Sequence, residues 1–282
     1  MVVKKVESRR GLWPRRNPVY LKFSVLSFTL MNSNIPVFLE TESTKNILDE
    51  VGSLIPKGTK VYLFGGAVRN AVYFRYFGEE MTQRDFDIIV IGDGETFSKR
   101  LIERGFIFGN KNSEKEKVIK KARMENPIHR YDDWVYLDCK IFPNTESVES
   151  VLQKITDFTV SGVALDLEDM YKDDWFQKVI AVPNALDDIK NKKVRLMTPY
   201  GIGFYKIIRL MSRGFEKPSN ADALSCLVKL KNITEERFKT EIEKTVLYVG
   251  DRNRVMTLAR SLGVDVDVLD FNVTTNYLSK IE

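Results

Sequence analysis

Histidine and cysteine are scarce in this sequence of 282 residues, which has one histidine, His129, and two cysteines, Cys139 and Cys226. Zinc clusters and the common hydrolytic triads depend on these residue types, so both kinds of site are excluded. Two cysteines are also too few for a disulfide framework. A metal ion in this protein would therefore need oxygen ligands, which favours magnesium or manganese.

Long apolar runs are missing as well. No stretch of about 18 consecutive apolar residues occurs, which excludes a membrane-spanning helix. Hydrophobic residues at 43% and charged residues at 29% are typical of a soluble globular protein, and we predict a cytoplasmic one with no membrane partner. The net charge of +5 is confined to residues 1–20, because the rest of the chain holds equal numbers of basic and acidic side chains. The body of the protein therefore has no bulk attraction for nucleic acids.

The pattern along the chain divides it into three parts. Residues 1–39 are a basic N-terminal arm with an apolar lead-in, and residues 40–195 alternate between helical and strand patterns. Residues 196–282 have helical spacing at residues 203–213, 235–250 and 254–262. This order predicts an α+β head followed by an all-helical C-terminal region.

Within the head, hydrophobic periodicity and turn residues predict the individual elements. Three helices are predicted, and they span residues 43–55, 67–77 and 97–104. Three strands are predicted, and they span residues 61–64, 85–91 and 134–142. Ser43 is the expected cap of the first helix, and Gly78 and Gly105 are expected to end the other two. Residues 109–130 are charged and fit neither pattern.

The turn after the first predicted strand is rich in glycine. Gly65 and Gly66 stand where the strand gives way to a helix. Glycines there let backbone amides approach a ligand closely, and the following helix presents its positive N-terminus. Such a turn suits a triphosphate, although a Gly-Gly pair is more often only a tight turn.

Acidic residues occupy alternate positions on the predicted strand over residues 85–91. Asp85 and Asp87 are two residues apart, so their side chains are expected on one face, while Phe86 and Ile88 point to the core. Two neighbouring carboxylates repel each other, and a bound cation relieves the repulsion. The alternative is a surface pair that basic neighbours neutralise.

A further acid lies within the predicted strand over residues 134–142. Asp138 shares a face with Tyr136, opposite the apolar residues of the strand. It is a candidate for the third ligand of a two-magnesium site. Asp132 and Asp133, just before the strand, are competing candidates.

In this order, the glycine turn and the acidic strands resemble the head of the polymerase-beta-like nucleotidyltransferases. Within that superfamily they are most similar to tRNA nucleotidyltransferases (CCA-adding enzymes) and bacterial poly(A) polymerases. The matching segments are residues 63–70 (LFGGAVRN), 84–90 (RDFDIIV), 157–165 (DFTVSGVAL), 186–190 (LDDIK) and 206–209 (KIIR).

The resemblance implies a fold, an activity and a set of site residues. The fold is a nucleotidyltransferase head with a small mixed sheet and helices. The activity is magnesium-dependent transfer of nucleotides from an NTP, ATP or CTP, to the 3′ end of an RNA, tRNA or tRNA-like, with release of pyrophosphate. Mg²⁺, or Mn²⁺ in its place, would be held by the catalytic residues Asp85, Asp87 and Asp138. The implied nucleotide-binding residues are Gly65, Gly66, Arg69, Asp157, Lys206 and Arg209. For Asp157, a helix cap is an equally good interpretation.

Departures from the family pattern keep other hypotheses open. Asn70 replaces a family aspartate, and the family's base-selecting Glu-Asp-x-x-Arg is replaced by residues 202–206 (IGFYK). The helical part after the head is also shorter than the family's body and tail. These differences favour a second hypothesis, in which the acceptor is a protein or a small molecule. A third hypothesis is a non-catalytic binding module on a decayed fold, but the intact Asp85 and Asp87 argue against it.

If the acceptor is RNA, the positive charge that attracts it has to lie outside the neutral body of the protein. The basic residues within 1–16 are expected to supply a nonspecific, salt-dependent attraction. A protein partner is the other expected source of RNA binding.

Overall fold

The computed structural model of this protein describes residues 36–39, 42–79, 85–110, 116–122, 134–199 and 202–280. Most of the predicted arm, and the segment with His129, Asp132 and Asp133, lie outside these described residues. The strands are β1 (Lys60–Phe64), β2 (Asp85–Ile91), β3 (Ile107–Asn110), β4 (Glu116–Ala122), β5 (Trp134–Phe142), β6 (Val163–Asp166) and β7 (Ile180–Ala181). The α-helices are α1 (Glu42–Ser53), α2 (Gly66–Phe77), α3 (Gly94–Glu103), α4 (Val148–Ile155), α5 (Ala185–Lys190), α6 (Gly203–Met211), α7 (Asn220–Val228), α8 (Glu235–Val249), α9 (Arg252–Ser261) and α10 (Phe271–Leu278).

The strands form one mixed sheet in the order β3-β4-β5-β2-β1-β6-β7. Strands β2 and β5 are parallel, and the other neighbours are antiparallel. A parallel pair needs a long connection, which α3, β3 and β4 provide between β2 and β5. The predicted α+β head with a mixed sheet is confirmed. The sheet is larger than expected, because β3, β4, β6 and β7 are additional to the three predicted strands.

The centre of the sheet is buried on both faces. Val61 and Leu63 of β1 are fully buried, and so are the consecutive residues Ile88, Ile89 and Val90 of β2. Helix α2 packs against both strands. The expected alternation of polar and apolar side chains in β2 therefore applies only near the start of the strand. From Ile88 onward, the side chains on both faces are apolar.

Two predicted helix starts are wrong. The first helix already begins at Glu42, so Ser43 lies within it and is not its cap. Helix α3 begins three residues before the predicted start, because the side chain of Asp93 accepts a hydrogen bond from the backbone N–H of Thr96 at 2.9 Å and caps the helix there. The predicted end of α2 is confirmed, since Gly78 has a φ of 66° and closes the helix in the left-handed conformation.

The all-helical end of the chain is confirmed for the described residues from Gly203 onward. Its helices share one continuous core with the head. The hydroxyl of Tyr205 on α6 donates to the carbonyl of Val268 at 2.6 Å, and its ring meets that of Phe238 on α8 edge to face. None of the helices described is long and apolar enough to cross a membrane.

Candidate active site

Two acidic residues lie next to each other on adjacent parallel strands. In the register of β2 with β5, Asp87 is the partner of Asp138, and both residues are half-buried. Partners in register point to the same face of a sheet, and neighbouring strands are only about 4.8 Å apart. The two carboxylates therefore face the same side of the sheet at close range.

The third predicted ligand is only partly located. Asp85 is the first residue of β2, and its backbone pairs with Tyr136, two positions before Asp138. The side chain of Asp85 lies outside the part of the chain that the structure describes. The role of Asp85, Asp87 and Asp138 as metal ligands thus stays a prediction.

Gly65 brings the glycine turn against this acidic pair. Its neighbour Phe64, the last residue of β1, is in register with Asp87. A Cβ placed on Gly65 would lie 3.5 Å from Oδ2 of Asp87, so the backbone of the turn directly borders the carboxylate. The backbone N–H of Gly65 donates to the carbonyl of Val163 at 2.9 Å, which fixes the turn to β6. Helix α2 begins at the next residue, Gly66, and its N-terminus adds positive potential beside the acids.

Arg69 lies one helical turn after the glycines. Its backbone N–H donates to the carbonyl of Gly65 at 2.9 Å, and its Nε and Nη2 donate to Oδ1 of Asn70 at 3.2 and 3.0 Å. Burial, followed by the positive charge of Arg213, lowers the pKa of Arg69 to about 10. Asn70 offers a neutral oxygen where the family has a carboxylate, so Arg69 keeps its charge uncompensated by its neighbour.

Asp157 and Lys206 form an ion pair. Nζ of Lys206 on α6 lies 2.7 Å from Oδ2 of Asp157, whose side chain is only 7% exposed. The carbonyl of Asp157 accepts hydrogen bonds from the backbone of Met197 and Thr198, which anchors the segment. The next helical turn has Phe158 as its N-terminal flanking residue, so Asp157 does not cap a helix.

Arg209 is held by the helical region. Its Nη1 lies 3.2 Å from Oε2 of Glu241 and 3.4 Å from Oγ1 of Thr245, both on α8. Glu241 is nearly inaccessible, with 2% of its side chain exposed, and also contacts Arg237 and Lys244. A buried carboxylate bonded in this way fixes the guanidinium of Arg209 in one orientation.

Gly203 is closely packed at the start of α6. A Cβ at this position would lie 3.0 Å from Sγ of Cys226 on α7 and 3.5 Å from the ring of Phe158. The N-terminus of α6 is therefore closely packed, and a side chain at position 203 would require Cys226 to move by a few tenths of an ångström.

The described residues fit a divalent cation with oxygen ligands. Asp87 and Asp138 supply carboxylate oxygens, the ligand type that Mg²⁺ prefers. Among the side chains that the structure describes, no group of three acidic, histidine or cysteine residues is close enough to hold a metal ion. A third protein ligand would have to come from outside them, which is consistent with the position of Asp85 in the strand.

Three residues near the site are absent from the sequence-based predictions. Arg213 and Tyr248 lie close together, with Cζ of Arg213 4.7 Å from the ring centroid of Tyr248. Glu241 holds Arg209 from the same helix as Tyr248. The spacing of four residues between Arg209 and Arg213 could have indicated a shared helix face. Nothing in the local sequence points to Tyr248 or Glu241.

A separate cavity of about 600 Å³ opens at the other end of the sheet. It is lined by Lys60, Tyr62 and Ile91 together with residues that lead into α4. Lys60 and Ile91 are register partners at the end of β1 and β2 farthest from Asp87. This cavity is therefore not part of the candidate site.

Solved structures share the fold of this chain. The structure of the Thermotoga maritima CCA-adding enzyme complexed with tRNA matches 84% of the chain with a TM-score of 0.56 and 16% identity. A CCA-adding enzyme with ATP matches 82% with a TM-score of 0.57 and 15% identity, and a tRNA-processing enzyme in an apo form matches 82% with a TM-score of 0.55 and 19% identity. This chain is therefore similar in fold to CCA-adding and tRNA-processing enzymes.

The similarity to these structures is a similarity of fold, and it covers only part of the length of each of those proteins. The chain spans about half the length of these solved structures, with 54%, 55% and 59% of each covered. No protein-family model and no curated protein matches the sequence significantly. The predicted resemblance to the head of CCA-adding enzymes, and the helical region after it, are thereby confirmed at the level of fold.

Proposed function

We propose that this protein is a magnesium-dependent nucleotidyltransferase that adds nucleotides from an NTP to the 3′ end of an RNA, tRNA or tRNA-like, and releases pyrophosphate. The observation that carries the proposal is the placement of Asp87 beside Asp138 on parallel strands, with the Gly65 turn against them. The fold shared with structures of CCA-adding enzymes supports the choice of RNA as acceptor. The proposed setting is the cytoplasm.

The reaction joins the 3′ hydroxyl oxygen of the acceptor to the α-phosphorus of the NTP. The bond from that phosphorus to the bridging oxygen of pyrophosphate breaks, and the hydroxyl proton is released to water. Asp87 and Asp138, with Asp85, would hold Mg²⁺. When bound, this ion offsets the charge of the triphosphate and makes the acceptor hydroxyl a better nucleophile. A protein general base is therefore not required, which agrees with the presence of a single histidine.

The remaining residues bind and orient the nucleotide in this proposal. The amides of Gly65 and Gly66 receive phosphate oxygens at the N-terminus of α2. Arg69, one turn later, adds a charge for the same phosphates. Lys206 and Arg209 border the nucleotide from α6, where each is already oriented by a carboxylate.

The first test of the proposal is a transfer assay with Mg²⁺, each labelled NTP, and trimmed and intact tRNA as acceptors. We expect Asp87→Asn and Asp138→Asn to lower the rate about 1000-fold or more, since removing a metal ligand forfeits several kcal/mol of transition-state stabilisation. Asp173→Asn is the matched control, because Asp173 is exposed and distant in sequence from both strands. Wild-type rates in Asp87→Asn would refute the site assignment.

A second candidate function keeps the chemistry and changes the acceptor to a protein or a small molecule. It is favoured by α6, where Gly203 is closely packed and Lys206 is paired with Asp157, so the family's base-selecting side chains are missing. Transfer of label to a protein or small molecule in a cell extract, without labelled RNA, would favour this candidate. Absence of transfer to any acceptor would favour a non-catalytic binding module.

A further inference from the structure

Three arginines meet where the head contacts the helical region. Arg69 lies on α2 of the head, Arg209 lies on α6, and Arg213 follows the end of α6. The head contacts the segment that follows α6, because the ring of Tyr73, one turn after Arg69 on α2, stacks on that of Phe215 with a centroid distance of 5.8 Å. The three guanidinium groups therefore belong to one junction.

Tyr248 of α8 orients two of these arginines. Cζ of Arg209 lies 5.7 Å and Cζ of Arg213 lies 4.7 Å from its ring centroid. Attraction between a cation and an aromatic face restricts each guanidinium to one plane. Arg213 also shares a side-chain hydrogen bond with Tyr248, while Nη1 of Arg209 bonds Glu241 and Thr245. A guanidinium has five N–H donors, so those not used in these bonds can contact phosphate oxygens.

The carboxylates of the junction do not balance its positive charge. Arg209 is paired with Glu241, and the nearest hydrogen-bonding partner of the Arg69 guanidinium is the neutral Asn70. Within the described ranges, neither Arg69 nor Arg213 forms an ion pair with a carboxylate. Three guanidinium groups against one carboxylate leave two positive charges in excess.

This excess charge is costly to the unliganded protein. Burial, as the main cause, lowers the pKa of Arg213 as well as that of Arg69, and each of the two arginines also has other arginines nearby. Asp157 is the acid of the described residues whose charge favours the protonated form of Arg69, and it is already paired with Lys206. An anionic ligand with several charges would offset this cost.

We infer that Arg213 and Tyr248 complete, together with Arg69, a binding site for a polyphosphate chain. The inference rests on the proposed function, because the ligand it assigns is the triphosphate of the incoming nucleotide. Arg69 is one helical turn from Gly65, so phosphates at the glycine turn lie close to Arg69, and the charge of Arg213 acts on Arg69 across the junction. The helical region, and not the head alone, then binds the nucleotide.

Binding of inorganic tripolyphosphate without Mg²⁺, measured by isothermal titration calorimetry, tests the inference. We expect Arg213→Gln to weaken binding about 10- to 100-fold, the usual effect of losing a charge-assisted hydrogen bond. Arg252→Gln removes the same charge from an exposed position at the start of α9 and should leave binding unchanged. Arg213→Lys, which keeps the charge but not the planar fork, is expected to bind with intermediate affinity.

Thermal unfolding distinguishes a binding role of Arg213 from a structural one. Arg213→Gln removes repulsion within the cluster and also removes the contact with Tyr248, so the unliganded variant should unfold close to the temperature of the wild type. It should lose stabilisation by tripolyphosphate. A lower melting temperature with unchanged tripolyphosphate affinity would overturn the inference. So would weaker binding of an RNA oligonucleotide with unchanged tripolyphosphate affinity, because the cluster would then contact the acceptor.

The failure of this inference can be distinguished from the failure of the proposed function, since the binding assay requires no chemistry. Nucleotide transfer by the wild type, with tripolyphosphate affinity unchanged in Arg213→Gln, would refute the inference and leave the function in place. Loss of binding in Arg213→Gln without transfer to any acceptor by the wild type would refute the function and support the site.

Discussion

Gly65 has an unusual backbone conformation at the border of the candidate site. It has φ 69° and ψ −125°, a combination that side chains strongly disfavour, and it borders the carboxylate of Asp87. The space around it would accept a methyl group, since the nearest atom to an added Cβ is 3.5 Å away. The requirement for glycine therefore comes from the backbone angles and not from crowding.

We predict that Gly65→Ala lowers the free energy of unfolding by about 1–3 kcal/mol, the usual cost of a side chain in a glycine-only conformation. Urea-induced unfolding measures this change. The matched control is Gly52→Ala near the end of α1, where an added Cβ meets open space. That variant should gain up to about 1 kcal/mol from the lower entropy of its unfolded chain. Equal stability of Gly65→Ala and the wild type would contradict the prediction.

At the scale of elements, the packing of α6 on α7 decides what the site can contain. Gly203 allows the start of α6 to approach Cys226 so closely that a Cβ would lie 3.0 Å from its sulfur. Three residues later, Lys206 reaches across to Asp157 from the same helix. Under the proposed function, α6 therefore presents a lysine paired with an acid at the edge of the nucleotide site.

A double-mutant cycle tests this packing. Gly203→Ala should destabilise the protein by about 1–3 kcal/mol, the usual cost of overpacking a core. Adding Cys226→Ala removes the sulfur atom, so the double variant should be more stable than the sum of the single effects predicts. Strict additivity in thermal or urea unfolding would indicate that the two residues do not share this contact.

At the scale of the whole molecule, positive charge is separated into two places. The excess positive charge of the sequence lies in residues 1–20, while the remainder is balanced. Within the balanced remainder, the arginine cluster at the junction of head and helices is a local exception. Under the proposed function, the basic residues at 1–20 would attract RNA without specificity, and the arginine cluster would bind the nucleotide.

Removal of residues 1–16 is predicted to weaken RNA binding and its dependence on salt. For single-stranded RNA, the slope of log affinity against log salt becomes shallower by about 0.7 for each phosphate that the protein no longer neutralises. The measurement is RNA affinity at several salt concentrations for the full chain and the truncated one. An unchanged slope after truncation would rule out this role for the arm.

The sequence alone predicted the elements in which local pattern and burial agree. Strands β2 and β5 were predicted with their observed bounds, because β2 has an apolar run after Asp87 and β5 alternates between apolar and polar residues. The pattern missed β4, since the lysines of Glu116–Ala122 obscure its apolar alternation. It also misplaced the start of α3, where a cap by Asp93 outweighs the apolar spacing.

The sequence was therefore sufficient to predict the features that depend on local motifs. These are the glycine turn at Gly65, the acids of β2 and β5, and the scarcity of histidine, which limits the choice of metal. The tertiary structure decided how these motifs meet. Only the parallel register of β2 with β5 places Asp87 beside Asp138, and only the packing of α2 against the end of α6 brings Arg69 near Arg213. Such contacts join residues far apart in the chain, and their geometry is set by the packing of whole elements, which local hydrophobicity does not encode.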